Sequence, residues 1–246
     1  MTRNAIVTGG SRGIGKSIAI ALTKQGVNVA LTYRNDREKA LAVVRDIEDQ
    51  GNRAISVQLD QRTRSGIVEV IEQVHSSFGK VNILINNAAI AQEKPFETIT
   101  DDDWDNMMAV NLRGAFVLCQ EALPDMIEQG WGRIINISSI GGQWGGINQV
   151  HYAVAKAGLI GLTRSLARIY SVRGITVNAV APGLVRTDMS AVELNSEAGR
   201  DKVRGIPIGR VATVQEIAQV VAFLATDAAS YITGQTINVN GGMYFG

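Results

Sequence analysis

Apolar positions recur along this chain in two rhythms: short β-branched runs, and longer stretches with an apolar residue every three or four positions. The short runs predict strands at Asn4–Thr8, Val27–Tyr33, Ala54–Leu59, Val81–Ile85, Arg133–Ser138, Ile175–Val180 and Thr236–Val239. The longer stretches predict helices at Gly13–Gln25, Asp36–Gln50, Thr63–Phe78, Asp101–Gln129, Val150–Val172 and Thr213–Ala225. In the third helix Ile67, Val70, Ile71 and Val74 share one face. The fourth reads as one long helix. It opens on an acidic cluster, which suits the positive end of the helix dipole, and a bend is expected at Pro124.

Strands separated by helices of this length pair in parallel through right-handed crossovers. Runs without polar alternation suit a sheet covered on both faces. The expectation is an α/β protein, a single doubly wound domain over residues 1–246 with a mostly parallel sheet. The stretch Pro182–Pro207 is long and irregular. Such a loop in a compact domain usually covers a ligand, so a substrate loop is expected at about 183–207. Ligands of doubly wound sheets bind at the carboxyl ends of the strands.

Composition narrows the classes. Of the 246 residues, 46% are hydrophobic and 19% charged, as in folded globular proteins. A net charge of +1 gives no reason to expect nucleic acid or an anionic membrane as partner. The single cysteine, Cys119, lies in an apolar stretch and reads as a small core residue. With no signal-like segment and no apolar run near the roughly 18 residues of a membrane span, a cytoplasmic location is expected.

Between the first strand and helix lies Thr8-Gly9-Gly10-Ser11-Arg12-Gly13-Ile14-Gly15. Glycines here permit a tight turn and a close approach to a pyrophosphate, which the helix N-terminus then attracts. The same region supports a rival reading. Gly10-Ser11-Arg12-Gly13-Ile14-Gly15-Lys16-Ser17 matches the nucleoside-triphosphate P-loop, with Asp60 as its candidate magnesium carboxylate. The loop alone does not decide.

The middle of the chain does. Tyr152 and Lys156 stand four residues apart on a predicted helix and so share a face. A cation beside a phenol lowers its pKa from about 10, as a proton donor working near neutrality requires. Ser138 and Ser139 end a strand before a glycine-rich loop, and Asn111 lies within the long helix.

Thr8–Gly15, Asn86-Asn87-Ala88-Ala89, Asn111, Ser139, Tyr152 with Lys156, and Pro182-Gly183 together resemble the motif set of the short-chain dehydrogenase/reductase family, in family order. The resemblance implies a Rossmann-type fold and a role for each position. Tyr152 donates a proton to the substrate carbonyl oxygen, and Ser139, thirteen residues earlier, hydrogen-bonds that oxygen. Lys156 lowers the tyrosine pKa and binds the nicotinamide ribose, while Asn111 holds a water in a proton relay. Gly9, Ser11, Arg12, Gly13, Ile14 and Gly15 form the dinucleotide turn. Asn87 and Ala88 line the adenosine side, and Asp60 caps the adenine. After Pro182 and Gly183, Val185 and Thr187 contact the nicotinamide amide and the phosphates. Ala89 departs from the glycine usual in the family.

Within the family the chain is similar to 3-oxoacyl-acyl-carrier-protein reductases, most visibly over Tyr231–Tyr244, Ala155–Arg168 and Arg173–Pro182. Acetoacetyl-CoA reductases are nearly as similar around Gly130-Trp131-Gly132-Arg133, and other ketone or alcohol dehydrogenases share the scaffold. Arg173 matches a basic position for the acidic carrier protein; a second such position is Gly130 here. Trp144 falls on the family's substrate-side wall. The resemblance also implies a homotetramer, with Gly158, Gly161 and Ser165 available for close helix packing.

NADPH is the expected cofactor. NAD-dependent folds of this kind end the second strand on a carboxylate that holds the ribose 2′-hydroxyl. Here the strand ends Leu31-Thr32-Tyr33-Arg34, so Arg34 and Arg12 are expected to bracket a 2′-phosphate. Asp36 is expected to cap the next helix instead.

Overall fold

The computed structural model describes residues 2–246 apart from 189, 192, 193 and 195. Seven strands form one parallel sheet in the order β3-β2-β1-β4-β5-β6-β7. They are β1 (Asn4–Val7), β2 (Asn28–Tyr33), β3 (Ala54–Gln58), β4 (Ile83–Asn86), β5 (Gly132–Ile137), β6 (Ile175–Pro182) and β7 (Thr236–Val239). Among the described residues the α-helices of eight or more residues are α1 (Gly13–Thr23), α2 (Arg37–Glu48), α3 (Arg64–Phe78), α4 (Asp101–Met108), α5 (Gly114–Gln129), α6 (Val150–Tyr170), α7 (Glu197–Arg204) and α8 (Val214–Leu224).

Every residue of β1, β2, β4, β5 and β6 is buried, which explains why these strands are mostly apolar and lack polar alternation. Successive side chains leave opposite faces. Val7, Ile83, Ile85, Ile135 and Ile137 pack with α1 and α8, whereas Ile6, Leu84 and Ile134 pack with α3 and α5. Cys119 belongs to the second core, where burial pushes its thiol up to about 12. Chain order reverses between β1 and β4, which opens a crevice at their carboxyl ends.

The fourth expected helix is two. One turn of π-helix, Ala109–Arg113, separates α4 from α5. The cause lies in Gln61, whose Nε2 donates to the carbonyls of Val110 at 2.5 Å and Ala88 at 3.2 Å. Gln61 also presses on the helix at Gly114, where a Cβ would stand 2.9 Å from the Gln61 carbonyl oxygen. A group inserted into the helical ladder produces such a wide turn. The bend was expected at Pro124 instead; α5 runs through that residue to Gln129, and the carbonyl freed by its missing N–H belongs to exposed Gln120.

The expected irregular loop at 183–207 contains α7, capped by Ser196, whose hydroxyl accepts from Gly199 N at 2.9 Å. Positions 189, 192, 193 and 195 of that loop lie outside the described residues. No helix among the described residues is long and apolar enough to cross a membrane.

Candidate active site

The glycine-rich turn follows β1 directly. Gly9 and Gly13 have φ of 64° and 54°, conformations that side chains disfavour. A Cβ on Gly9 would come within 3.0 Å of Ala88, and one on Gly15 within 2.2 Å of the Gly9 carbonyl and 2.6 Å of Asn87 Nδ2. Gly13 faces open space as far as the Thr187 methyl, 3.7 Å from a Cβ placed there. Arg12 occupies the N-cap of α1 without a side-chain cap, so the first N–H groups of the helix face the turn undonated to any cap. Such a cradle suits a pyrophosphate.

Thr8, which the sequence did not single out as a site residue, locks the crevice. Its hydroxyl accepts from the main-chain N–H of Asn87 and of Ala88, both at 2.9 Å. Asn87 Nδ2 donates back to the Thr8 carbonyl at 2.8 Å. The glycine turn and the Asn87-Ala88 segment therefore move as one unit.

Lys16 and Ser17 do not form a triphosphate site. The Lys16 ammonium pairs with Asp46 of α2 at 2.8 Å, and Asp60 follows β3, which is separated from β1 by β2. Asp60 instead holds Arg62 through Nε at 2.9 Å and Nη2 at 2.5 Å, with Arg34 Nη2 at 3.6 Å. The Arg62 hydrogen bonds, with main-chain and charge contributions, lower its carboxyl to about 2. Arg34 is half exposed at the end of β2, beside the turn carrying Arg12. Asp36 caps α2, accepting from Lys39 N at 3.1 Å.

The second half of the site grows from β5, α6 and β6. The two serines after β5 are distinguished by their surroundings. Ser138 is buried and donates to the Lys156 carbonyl at 2.8 Å. Ser139 accepts from Gly141 N at 3.1 Å, and its hydroxyl lies close enough to Tyr152 to lower the phenol's pKa. Its loop is pinned by Ile140 N to the Pro182 carbonyl at 3.1 Å. It is also clasped against α6 at Gly142, where a Cβ would meet Lys156 main chain at 2.7 Å.

Lys156 stands on α6 with its Nζ 5.6 Å from the Tyr152 ring centre, but the ammonium donates to the Ile137 carbonyl at 2.7 Å. The ammonium therefore acts on Tyr152 through space and makes no hydrogen bond to it. Burial pushes the phenol above its usual value and only the Ser139 hydroxyl works against this, while burial lowers Lys156 to about 8.

Asn111 is buried in the π-turn. Its Oδ1 accepts from Ile90 N at 2.9 Å; its Nδ2 donates to Ile90 O at 2.8 Å and faces Met107 Sδ at 3.0 Å. The side-chain amide is thus taken up by Ile90 and Met107, and through it Asn111 ties the segment at Ile90 to the π-turn.

Pro182 ends β6. Gly183 N donates to Val239 O at 3.0 Å, Val185 is buried in a bridge to Ala212, and Thr187 approaches Gly13 from across the crevice. Trp144, half exposed, meets Tyr244 edge-on at 6.2 Å, so the chain end forms part of the rim. Arg173 precedes the amino end of β6, at the opposite edge of the sheet. Gly158 is filled by Leu112 of the same chain, 2.6 Å from a Cβ there, whereas Gly161 faces open space.

A glycine cradle at the switch point of a parallel sheet, facing a serine–tyrosine–lysine group, defines a dinucleotide-dependent oxidoreductase site. The chain belongs to the short-chain dehydrogenase/reductase family. A family model described as Enoyl-(Acyl carrier protein) reductase matches residues 9–244. A 3-oxoacyl-[acyl-carrier-protein] reductase FabG of Staphylococcus aureus (strain N315) is 45% identical over 99% of both chains. An acetoacetyl-CoA reductase of Rhizobium meliloti (strain 1021) is 40% identical over 100% of both. A solved blue fluorescent protein from a metagenomic library, in complex with NADPH, is 38% identical with a TM-score of 0.93, covering 99% of this chain and 98% of its own.

Proposed function

We propose that this protein reduces the ketone of a β-ketoacyl thioester to the β-hydroxyacyl thioester with NADPH. The observation that carries the reading is the placement of Ser139, just after the carboxyl end of β5, close enough to Tyr152 to act on its phenol, with Lys156 on the same face of α6. Two neighbouring hydroxyls suit one carbonyl oxygen on which negative charge develops. The full-length identity to the 3-oxoacyl reductase supports the substrate class.

NADPH, when bound, supplies the hydride. The residues present fit it: the turn Gly9–Gly15 offers uncapped N–H groups and no Cβ where a pyrophosphate would lie. Ser11, Arg12 and Ile14 belong to that turn, Arg12 and the half-exposed Arg34, which meets Asp60 only at 3.6 Å, can hold a 2′-phosphate, and Asp60 with Asn87 and Ala88 lines the adenosine side. Pro182, Gly183, Val185 and Thr187 border the nicotinamide side. Tyr152 donates its proton to the alkoxide oxygen and Ser139 orients that oxygen. Lys156 keeps a positive charge behind the phenol and stabilises the tyrosinate left after transfer. Asn111 holds the segment at Ile90 against the site.

The acyl arm enters past the loop at 183–207 and Trp144. Arg173 lies roughly 25 Å from the Tyr152 end, given eight residues of β6 at about 3.3 Å each. A carrier protein bound there would serve a second copy's site. The open face of α6 around Val154 and Gly161 supports a homotetramer.

The test is a rate comparison with NADPH on acetoacetyl-CoA, a β-ketoacyl carrier protein, a crotonyl thioester and simple ketones. The β-keto thioesters should be reduced far faster than the rest. Preferential reduction of the crotonyl double bond would replace this reading with enoyl reduction.

A further inference from the structure

His151, the residue before Tyr152, is fully buried at the head of α6. Its Nε2 lies 2.8 Å from Gln92 Oε1, and Gln92 Nε2 donates to Asp103 Oδ1 at 2.8 Å. The other Asp103 oxygen pairs with the Lys94 ammonium and accepts from Thr100 N at 3.0 Å. With the Gln92 amide nitrogen committed to a carboxylate, its carbonyl faces His151. The hydrogen on the ring must therefore sit on Nε2, and Nδ1 is left a bare acceptor. Nδ1 is indeed buried with no partner. Hydrogens thus point one way along the chain, from His151 through Gln92 to the Asp103 carboxylate, and such aligned bonds strengthen one another.

The same segment is gripped elsewhere. Lys94 N donates to Asn148 O at 2.7 Å, and Asn148 holds a left-handed φ of 55°, which a non-glycine residue adopts only when its surroundings impose it. At its other end Ile90 is bound in both directions by Asn111. Residues 90–94 are therefore fastened to the π-turn, to the capping box of α4 and to the residue next to Tyr152.

We propose that His151 and Gln92 are positioning residues, which fix the first turn of α6 so that the Tyr152 hydroxyl meets the substrate oxygen beside Ser139. They touch neither substrate nor cofactor. This rests on the reading of Tyr152 as proton donor.

The test compares His151→Leu, which keeps the volume but removes the donor, with His151→Gln, whose Nε2 reaches the same acceptor. His151→Leu should lower kcat by about tenfold or more, since displacing a reacting group by about 1 Å costs up to 10²-fold. NADPH affinity and the ketone KM should stay within about twofold of wild type, and His151→Gln should recover most of the kcat. Gln92→Leu, cut from a half-buried side chain, should copy His151→Leu and remains readable if that variant fails to fold. Unchanged kcat in Gln92→Leu, a loss falling equally on cofactor binding, or no recovery in His151→Gln overturns the proposal. Tyr152→Phe is the control. If it retains activity, the proton-donor reading has failed; if it is inactive while the His151 and Gln92 variants are normal, only the positioning role has.

Discussion

The Lys156 ammonium lies 5.6 Å from the centre of the Tyr152 ring and donates its hydrogen to neither the phenol nor any carboxylate, but to the main-chain carbonyl of Ile137. The pair is coupled through space, with the cation held by β5. Burial brings Lys156 to about 8, so its charge is present at neutrality and lost as pH rises past that value. The rate constant kcat/KM, which reports the free enzyme, should fall above about pH 8. Lys156→Arg, which stays charged, should lower the rate but abolish that limb. A wild-type profile flat to pH 9.5 would remove the lysine charge from the mechanism.

Tyr152→Phe keeps the ring and removes the proton donor. Turnover should drop by roughly 10²–10⁴-fold, the usual worth of a positioned acid. Cofactor affinity, followed by NADPH fluorescence titration, should barely change.

Arg34 is half exposed, with only a 3.6 Å contact to Asp60, and so is available for a phosphate. Arg34→Ala should raise the KM for NADPH at least tenfold, as a charged hydrogen bond is worth about 1.5–3 kcal/mol. The KM for NADH, which lacks the phosphate, should be nearly unaltered. Equal losses with both cofactors would exclude the 2′-phosphate role.

Lys16 is occupied with Asp46 on the outer face of α1. Lys16→Ala should leave reductase turnover within about twofold, since exposed ion pairs contribute little. Magnesium-dependent ATP or GTP hydrolysis that disappears in this variant would contradict the assignment.

Stability should weaken in mild acid through His151. Burial lowers its pKa and the nearby Lys94 charge adds to this, against the opposing Asp103 carboxylate. Below about pH 6.5 the unfolded chain takes a proton that the folded chain resists, so unfolding is favoured as pH falls. This contribution is absent above that value. Asp60 and Asp103, both depressed, act below about pH 4, where the stability they confer above it is lost. Between about pH 7 and pH 5, His151→Gln should lose less melting temperature than wild type; parallel curves would rule His151 out as the cause.

What could be read in advance follows from the range of the forces. The buried strands announced themselves because a sheet covered on both faces favours apolar, β-branched residues, and Asp36 could be placed as a cap from its position alone. The site residues lay in recognisable order because each sits at a strand's carboxyl end or in the turn or helix that follows. The contacts between them did not show. The His151–Gln92 bond spans 59 residues, and nothing local in either segment signals it. The spacing of Tyr152 and Lys156 put the two on one helix face, but it says nothing of the Ile137 carbonyl that claims the ammonium. The helix break escaped notice because Pro124 drew attention while Gln61, on a distant loop, made the wide turn.

That wide turn makes residue number a guarded quantity at Ala109–Arg113, beside the one residue type, Asn111, that the turn needs. A π-turn is an α-helix carrying one surplus residue, and each residue advances the helix by about 100°. Excising any one of the five would let ordinary bonds close from α4 into α5. The two halves would keep their phase, because the bulge is what absorbs the extra residue, but the widened turn that lets Gln61 reach the Val110 carbonyl and Asn111 reach Ile90 would be gone. Substitutions elsewhere along this stretch can be absorbed one side chain at a time. A single-codon deletion cannot, because it would close the widened turn and remove the fastening of residue 90 while leaving every other side chain chemically intact.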